Sequence, residues 1–188
     1  NLAKDIEKTK ILKPRDKILD IGSNDGTLLS SFDKQYFKLG VEPTDVAKLA
    51  KKKGINTIQA PFSFKLSNQL KKKYGKFKII TAANVFAHID NVHDVLKGII
   101  NLLSHDGVFI NESHYLQSFL DATQYDTIYH EHLRYYSIRS QQKLFSDYNI
   151  KIFHAKKIPT HGGSIRIFAS KKNYRISYNA KSLINRES

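Results

Sequence analysis

Four consecutive residues, Tyr129, His130, Glu131 and His132, place a phenol, two imidazoles and a carboxylate side by side in the stretch YHEHLRYYS. Imidazole exchanges protons near neutral pH, while carboxylates and phenols orient a base or donate to a developing charge. These residue types suit removal of a proton and stabilisation of the charge it leaves behind. The i, i+2 spacing of His130 and His132 would also allow metal ligation. The sequence offers no clear third ligand, so no metal is expected.

A second chemical signal lies upstream, in ILDIGSNDGTLL at residues 18–29. Gly22 and Gly26 allow a sharp turn and a close approach of ligand to backbone. A dinucleotide fingerprint requires G-x-G-x-x-G, so that a pyrophosphate can sit on the helix N-terminus. Here Asn24 occupies the second glycine position and Asp25 adds negative charge. Such a loop disfavours a diphosphate and suits a cofactor with a cationic, amino-acid-like end, such as S-adenosylmethionine. Asp20 precedes the loop. Glu42, followed by Pro43, ends the next apolar run, where a carboxylate can accept both hydroxyls of a ribose. The plain alternative is a structural strand–turn–helix with a surface carboxylate.

The elements that would carry these groups alternate. Strands are expected over residues 17–21, 37–41, 55–58, 77–82 and 108–112, and helices over 27–36, 45–53, 62–74 and 91–103. The last helix carries Val92, Val95, Leu96, Ile99, Ile100 and Leu103 at a 3.6-residue period. Strand–helix alternation predicts an α/β fold: a doubly wound, mostly parallel sheet. Beyond it, a helix over 141–148 precedes strands over 150–157 and 164–170. The turn THGGS joins those strands, as in an antiparallel pair at the sheet edge. Residues after Lys172 read as polar and patternless. The expected organisation is one domain over 1–172 and, over 173–188, a tail or the start of a further segment.

The chain has 188 residues, 40% of them hydrophobic, enough for a buried core. No window reaches the roughly 18 apolar residues of a membrane span, and the first residues lack the apolar centre of a secretory signal. With no cysteine there is neither a disulfide nor a thiolate zinc site, which fits a cytoplasmic enzyme. Methionine is absent even from position 1, so the sequence reads as part of a longer chain. The net charge of +14 is read as solvated helix faces, Lys51–Lys53 and Lys71–Lys73 lying near helix ends. Its alternative is attraction of an anionic partner. Aromatic residues do not interleave with the lysine runs, which argues against nucleic acid as that partner.

Taken together, ILDIGSNDGTLL, GVEP, AANVFAHIDNVHD, DGVFINESHYL, QYDTIYHEHLRYYS and PTHGGSIRIFA resemble the S-adenosylmethionine-dependent C-methyltransferases of nucleotide-linked keto-deoxysugars. The resemblance runs from about Lys17 to Ser170. It implies a class I methyltransferase, Rossmann-like fold, S-adenosylmethionine as cofactor and a nucleotide-sugar substrate. It also implies a zinc-binding cysteine domain and a further domain flanking the catalytic one, neither of which lies in this sequence. By position it carries active-site roles onto Tyr129, Glu131 and His132. We expect His132 as the base, Tyr129 as donor to the enolate oxygen, and Glu131 orienting a histidine or holding a substrate hydroxyl. Asn84 and His88 follow the fourth strand at the ligand-binding edge of such sheets; the resemblance places both in the active site, with His88 expected among the catalytic residues and Asn84 at cofactor and substrate. His114, His161, Gly162 and Gly163 are expected at the substrate. Capping for His88, packing for His114 and turn formation for the two glycines are the competing roles.

Overall fold

Apolar, β-branched runs form the strands and the segments between them form helices, as alternation requires. The computed structural model describes residues 2–124, 128 and 130–187, and of His161 only the backbone. Strands β1 (Lys17–Ile21), β2 (Phe37–Val41), β3 (Thr57–Ile58), β4 (Phe77–Ala83), β5 (Leu103–His114), β6 (Lys151–Ile158) and β7 (Ser164–Ser170) follow the order β3-β2-β1-β4-β5-β7-β6. The chain divides into two compact units. One takes in the described residues up to Ala82 together with His93–Gly107; the other takes Ala83–Val92 and the described residues from Val108 on.

In the first unit β1 lies between β2 and β4, parallel to both, with Leu19 opposite Leu39 and Ile80. These strands are buried almost end to end, as both-face coverage demands. Helix α1 (Leu2–Lys8) buries Leu2, Ala3 and Ile6, a short stripe not anticipated from the sequence. Helix α2 is only Thr27–Ser30 rather than 27–36. Ser30 and Ser31 both turn their hydroxyls back to the Thr27 carbonyl, and Asp33 accepts from the Gln35 amide. Such local bonds compete with helix propagation. Helices α3 (Ala47–Lys52), α4 (Phe64–Tyr74) and α5 (Val92–Leu102) fall close to their expected spans. Asn101 of α5 bonds Ser67 and Asn68 of α4, and Ser63 caps α4 through the Leu66 amide.

In the second unit β7 is antiparallel to β5 and to the edge strand β6. Helices α6 (Leu116–Asp121), α7 (Ile138–Ser146) and α8 (Tyr178–Arg186) complete it. Helix α6 buries no residue, so it left no periodic signal. Helix α7 starts three residues earlier than expected, at a capping box made by Ser137 and Ser140. The segment after Lys172 is not patternless: α8 buries Ala180 and Leu183, and Ser177 caps it through the Ala180 amide. An aromatic ladder, Tyr136–Phe86–Phe109–Phe145, forms the interior of this unit, with centroids 5.6–6.3 Å apart.

Candidate active site

The loop after β1 belongs to the first unit. Gly22 (φ 68°), Asn24 (φ 50°) and Gly26 (φ 77°) all adopt left-handed backbone, which turns the chain back within five residues. Gly22 and Ser23 donate their amides to the Val41 carbonyl, so the loop is strapped to the end of β2. A side chain at Gly26 would meet Ile55 and Ala50 at 3.1–3.2 Å. The loop is also approached closely by Gly40, where an added carbon would lie 2.4 Å from the buried Ser23 hydroxyl.

Two carboxylates are buried beside this loop. Asp20 is 3% exposed and accepts from the Thr81 hydroxyl at 2.6 Å. Burial pushes its carboxyl up to about 7, against the Thr81 bond and with the nearby Glu42 charge. Glu42 is 6% exposed and accepts from the Asn24 amide at 3.0 Å and from the Thr44 amide and hydroxyl at 2.9 and 2.7 Å. Asp25 stands apart. It is half-buried and bonded to Lys53 at 2.5 Å, and that bond, with those from Thr27, holds its carboxyl down at about 2. With Asp25 paired to Lys53, the negative charge beside this loop comes from Glu42, joined by Asp20 as pH rises through about 7. Pro43 is exposed next to Glu42. A pair of buried carboxylates beside an open backbone turn suits a ligand with a cationic group and hydroxyls, and opposes a diphosphate.

The second unit gathers the imidazoles. His132 lies with its ring centroid 5.0 Å from that of His88, 5.0 Å from that of His114 and 5.8 Å from Tyr135. Four hydrogen bonds dock the 131–134 segment on the turn after β4. His88 Nδ1 lies 2.9 Å from the Glu131 carbonyl, the Leu133 amide donates to the Ala87 carbonyl, and Arg134 donates to the carbonyls of Ile89 and Asp90. A carbonyl only accepts, so His88 carries its proton on Nδ1 and, when neutral, a lone pair on Nε2. It is the main chain of Glu131, not its exposed carboxylate, that meets this histidine. Asn84 is exposed, in left-handed backbone (φ 57°), and donates its amide to the Glu112 carbonyl. Tyr129, expected to contribute a phenol, lies outside the described residues, as does the His161 side chain.

Gly162 and Gly163 serve close packing. Gln124 bonds the Gly162 carbonyl at 2.8 Å, and a side chain at Gly162 would overlap Gln124 at 2.5 Å. One at Gly163 would overlap Ser118 of α6 at 2.6 Å, while the Gly163 carbonyl accepts from the Tyr115 amide. Both have positive φ, 72° and 121°. The pair fits the turn around α6 and Gln124, a packing reason that stands whether or not a substrate also touches it. Sequence reasoning missed Thr81, Gln124 and Arg134. Thr81 follows a buried run with no pattern of its own; Arg134 bonds backbone carbonyls, which have no sequence signature.

Residues 2–155 match the methyltransferase-domain family. A protein of Streptomyces niveus named C-methyltransferase NovU is 34% identical over 157 residues, 82% of this chain. The chain spans 37% of that relative's length. Among solved structures, an S-adenosylmethionine-dependent methyltransferase from Clostridium acetobutylicum superposes with a TM-score of 0.67 at 17% identity, covering 90% of this chain and 89% of that one. Another from Archaeoglobus fulgidus superposes with a TM-score of 0.64 at 15% identity, over 89% and 91% of the two chains. These likenesses establish the fold.

Proposed function

Because the chain belongs to the methyltransferase-domain family, we propose that it methylates carbon: the atom beside the keto group of a nucleotide-linked deoxysugar. The observation that carries this reading is the imidazole cluster centred on His132. An unactivated C–H is no nucleophile, so carbon methylation needs a base. A neighbouring ketone spreads the charge that proton removal leaves. The 34% identity to a protein named as a C-methyltransferase supports the same choice.

The residues divide the chemistry as follows. His132 takes the proton from carbon. Tyr129 donates to the enolate oxygen, and the exposed carboxylate of Glu131 receives a substrate hydroxyl. His88 acts through its bond to the Glu131 carbonyl, which fixes the chain just before His132, as the Leu133 amide on the Ala87 carbonyl does just after it. His114, edge-on to His132 with rings 87° apart, keeps that ring from rotating. The paired carboxylates Asp20 and Glu42 fit S-adenosylmethionine, Asp20 toward its cationic end and Glu42 toward its ribose. When bound, S-adenosylmethionine supplies a methyl group whose C–S bond breaks as the new C–C bond forms. Asn84 completes the substrate side.

Deuterium wash-in at the carbon beside the ketone separates base catalysis from methyl transfer. His132→Asn is expected to lower both by a hundredfold or more, within the roughly 10²–10⁴ range of a positioned base. Undiminished exchange in His132→Asn would remove His132 as the base. A second reading, methyl transfer to nucleic acid, draws on the net charge of +14. It requires RNA binding with a steep salt dependence.

A further inference from the structure

We propose a binding site for diphosphate-bearing ligands in the first unit, at the amino ends of β1 and β4. It lies across the sheet from the loop that follows β1. A cavity of about 300 Å³ there is lined by Lys13, Arg15, Lys17, Lys76 and Lys78, with the carboxylates of Asp16 and Asp106. Parallel pairing of β1 with β4 puts these ends on one edge. The Gly22–Gly26 loop leaves the opposite end of β1, some 15 Å away at about 3.3 Å per residue.

The charges are only partly compensated. Lys78 pairs with Asp106 at 2.6 Å, and Lys17 donates to the Tyr74 carbonyl. Asp16 accepts from the Lys13 backbone amide at 2.7 Å. Among the described residues the side chains of Lys13, Arg15 and Lys76 form no ion pair. Five cations against two carboxylates leave an excess of three positive charges around one cavity. That excess suits a polyphosphate better than a single carboxylate, and lysine ammoniums with an arginine fork are phosphate-binding groups.

A second observation is independent of the charge count. Lys13–Pro14–Arg15–Asp16 is a β-turn closed by the Asp16 amide on the Lys13 carbonyl at 3.0 Å. Proline fixes a negative φ at the second position, and Arg15 at the third has φ 70°. This is the type II turn, whose third position calls for glycine. An arginine there costs about 1–2 kcal/mol of backbone strain. The turn is held on both sides, by the Arg15 amide on the Gln35 carbonyl and the Phe37 amide on the Asp16 carbonyl. The strained residue is thus the one that brings a guanidinium to the cavity, the pattern expected of a functional site.

Calorimetric titration with inorganic pyrophosphate at low ionic strength tests the proposal, on the whole chain and on an Arg15→Gly, Lys76→Gln variant. Pyrophosphate should bind, and the variant should bind at least tenfold more weakly with its S-adenosylmethionine affinity unchanged. Arg15→Gly alone should keep or raise the melting temperature, so loss of binding cannot be loss of fold. Absence of pyrophosphate binding overturns the site. So does binding undiminished in the double variant, which would place the phosphates elsewhere in the protein. Binding of a mixed-sequence RNA without binding of pyrophosphate also overturns it.

Discussion

Replacing Asp20 by asparagine should make this protein more stable above neutral pH and a weaker binder of S-adenosylmethionine. In the folded chain burial raises the Asp20 carboxyl from 3.8 to about 7, opposed by the Thr81 bond and reinforced by Glu42. The unfolded chain releases that proton near 3.8, so between pH 4 and 7 the native state holds more protons than the unfolded state. Stability then falls as pH rises through this window and levels off above it. A shift of about three pH units at 1.36 kcal/mol each sets a ceiling near 4 kcal/mol. The replacement amide cannot titrate and still accepts from the Thr81 hydroxyl, but its buried N–H₂ needs partners, at a cost of about 1–3 kcal/mol. The net expectation is about 1–3 kcal/mol gained at pH 8, and a loss of about 1–3 kcal/mol at pH 4.5, where wild-type Asp20 is already neutral.

Urea denaturation followed by circular dichroism at pH 4.5, 6 and 8 reads this directly. The wild-type midpoint should fall across the series more than that of Asp20→Asn. A sulfonium cation favours the ionised carboxylate, so the wild-type dissociation constant for S-adenosylmethionine should drop as pH rises through 7, while that of Asp20→Asn stays flat. A difference in stability between the two proteins that is the same at all three pH values would rule out titration of Asp20 as its source.

Two further sites in the second unit can be probed by substitution. Arg134→Lys replaces a fork that spans the carbonyls of Ile89 and Asp90 by a single ammonium. It should lower the deuterium exchange rate about tenfold, the loss of one charged hydrogen bond, with little change in S-adenosylmethionine affinity. Glu112 and Arg166 face each other across β5 and β7, bonded at 2.8–2.9 Å with side chains 10% and 5% exposed. Glu112→Gln should cost about 3–5 kcal/mol in urea unfolding, and the apolar pair Glu112→Leu, Arg166→Met should recover most of it.

The fold was legible where burial writes a long pattern. The five-residue strands β1 and β2, the seven-residue β4 and the eleven-residue α4 and α5 lie where the apolar spacing puts them. Helices α1, α6 and α8 escaped: α1 and α8 lie outside the strand–helix alternation, before β1 and after β7, and α6 buries no residue. At the candidate site the residue types were legible and their partners were not. Asp25 was expected to charge the loop, but nothing in NDGTLL announces Lys53 as its counterion 28 residues on. His88, His114 and His132 come from three separate stretches, and only tertiary packing brings the first two rings to 5.0 Å from the third.

On the proposed reading, docking through two main-chain groups and the Arg134 side chain leaves a run as polar as HEHLR both placed and reactive. A segment fixed through the side chains of Glu131 and His132 would spend the groups that the proposed catalysis needs. Here the fixed points are the Glu131 carbonyl, the Leu133 amide and the Arg134 guanidinium, all meeting residues 87–90. The Glu131 carboxylate remains exposed, and the His132 ring is positioned by contact with two other imidazoles. Preorganisation of this kind lowers the cost of aligning a base with a carbon acid, because the alignment is set during folding. On the same proposed reading, His88 has a role distinct from that of the base. Its Nδ1 proton is committed to the Glu131 carbonyl, so removing that one bond should displace the neighbouring His132 without altering any group that touches substrate.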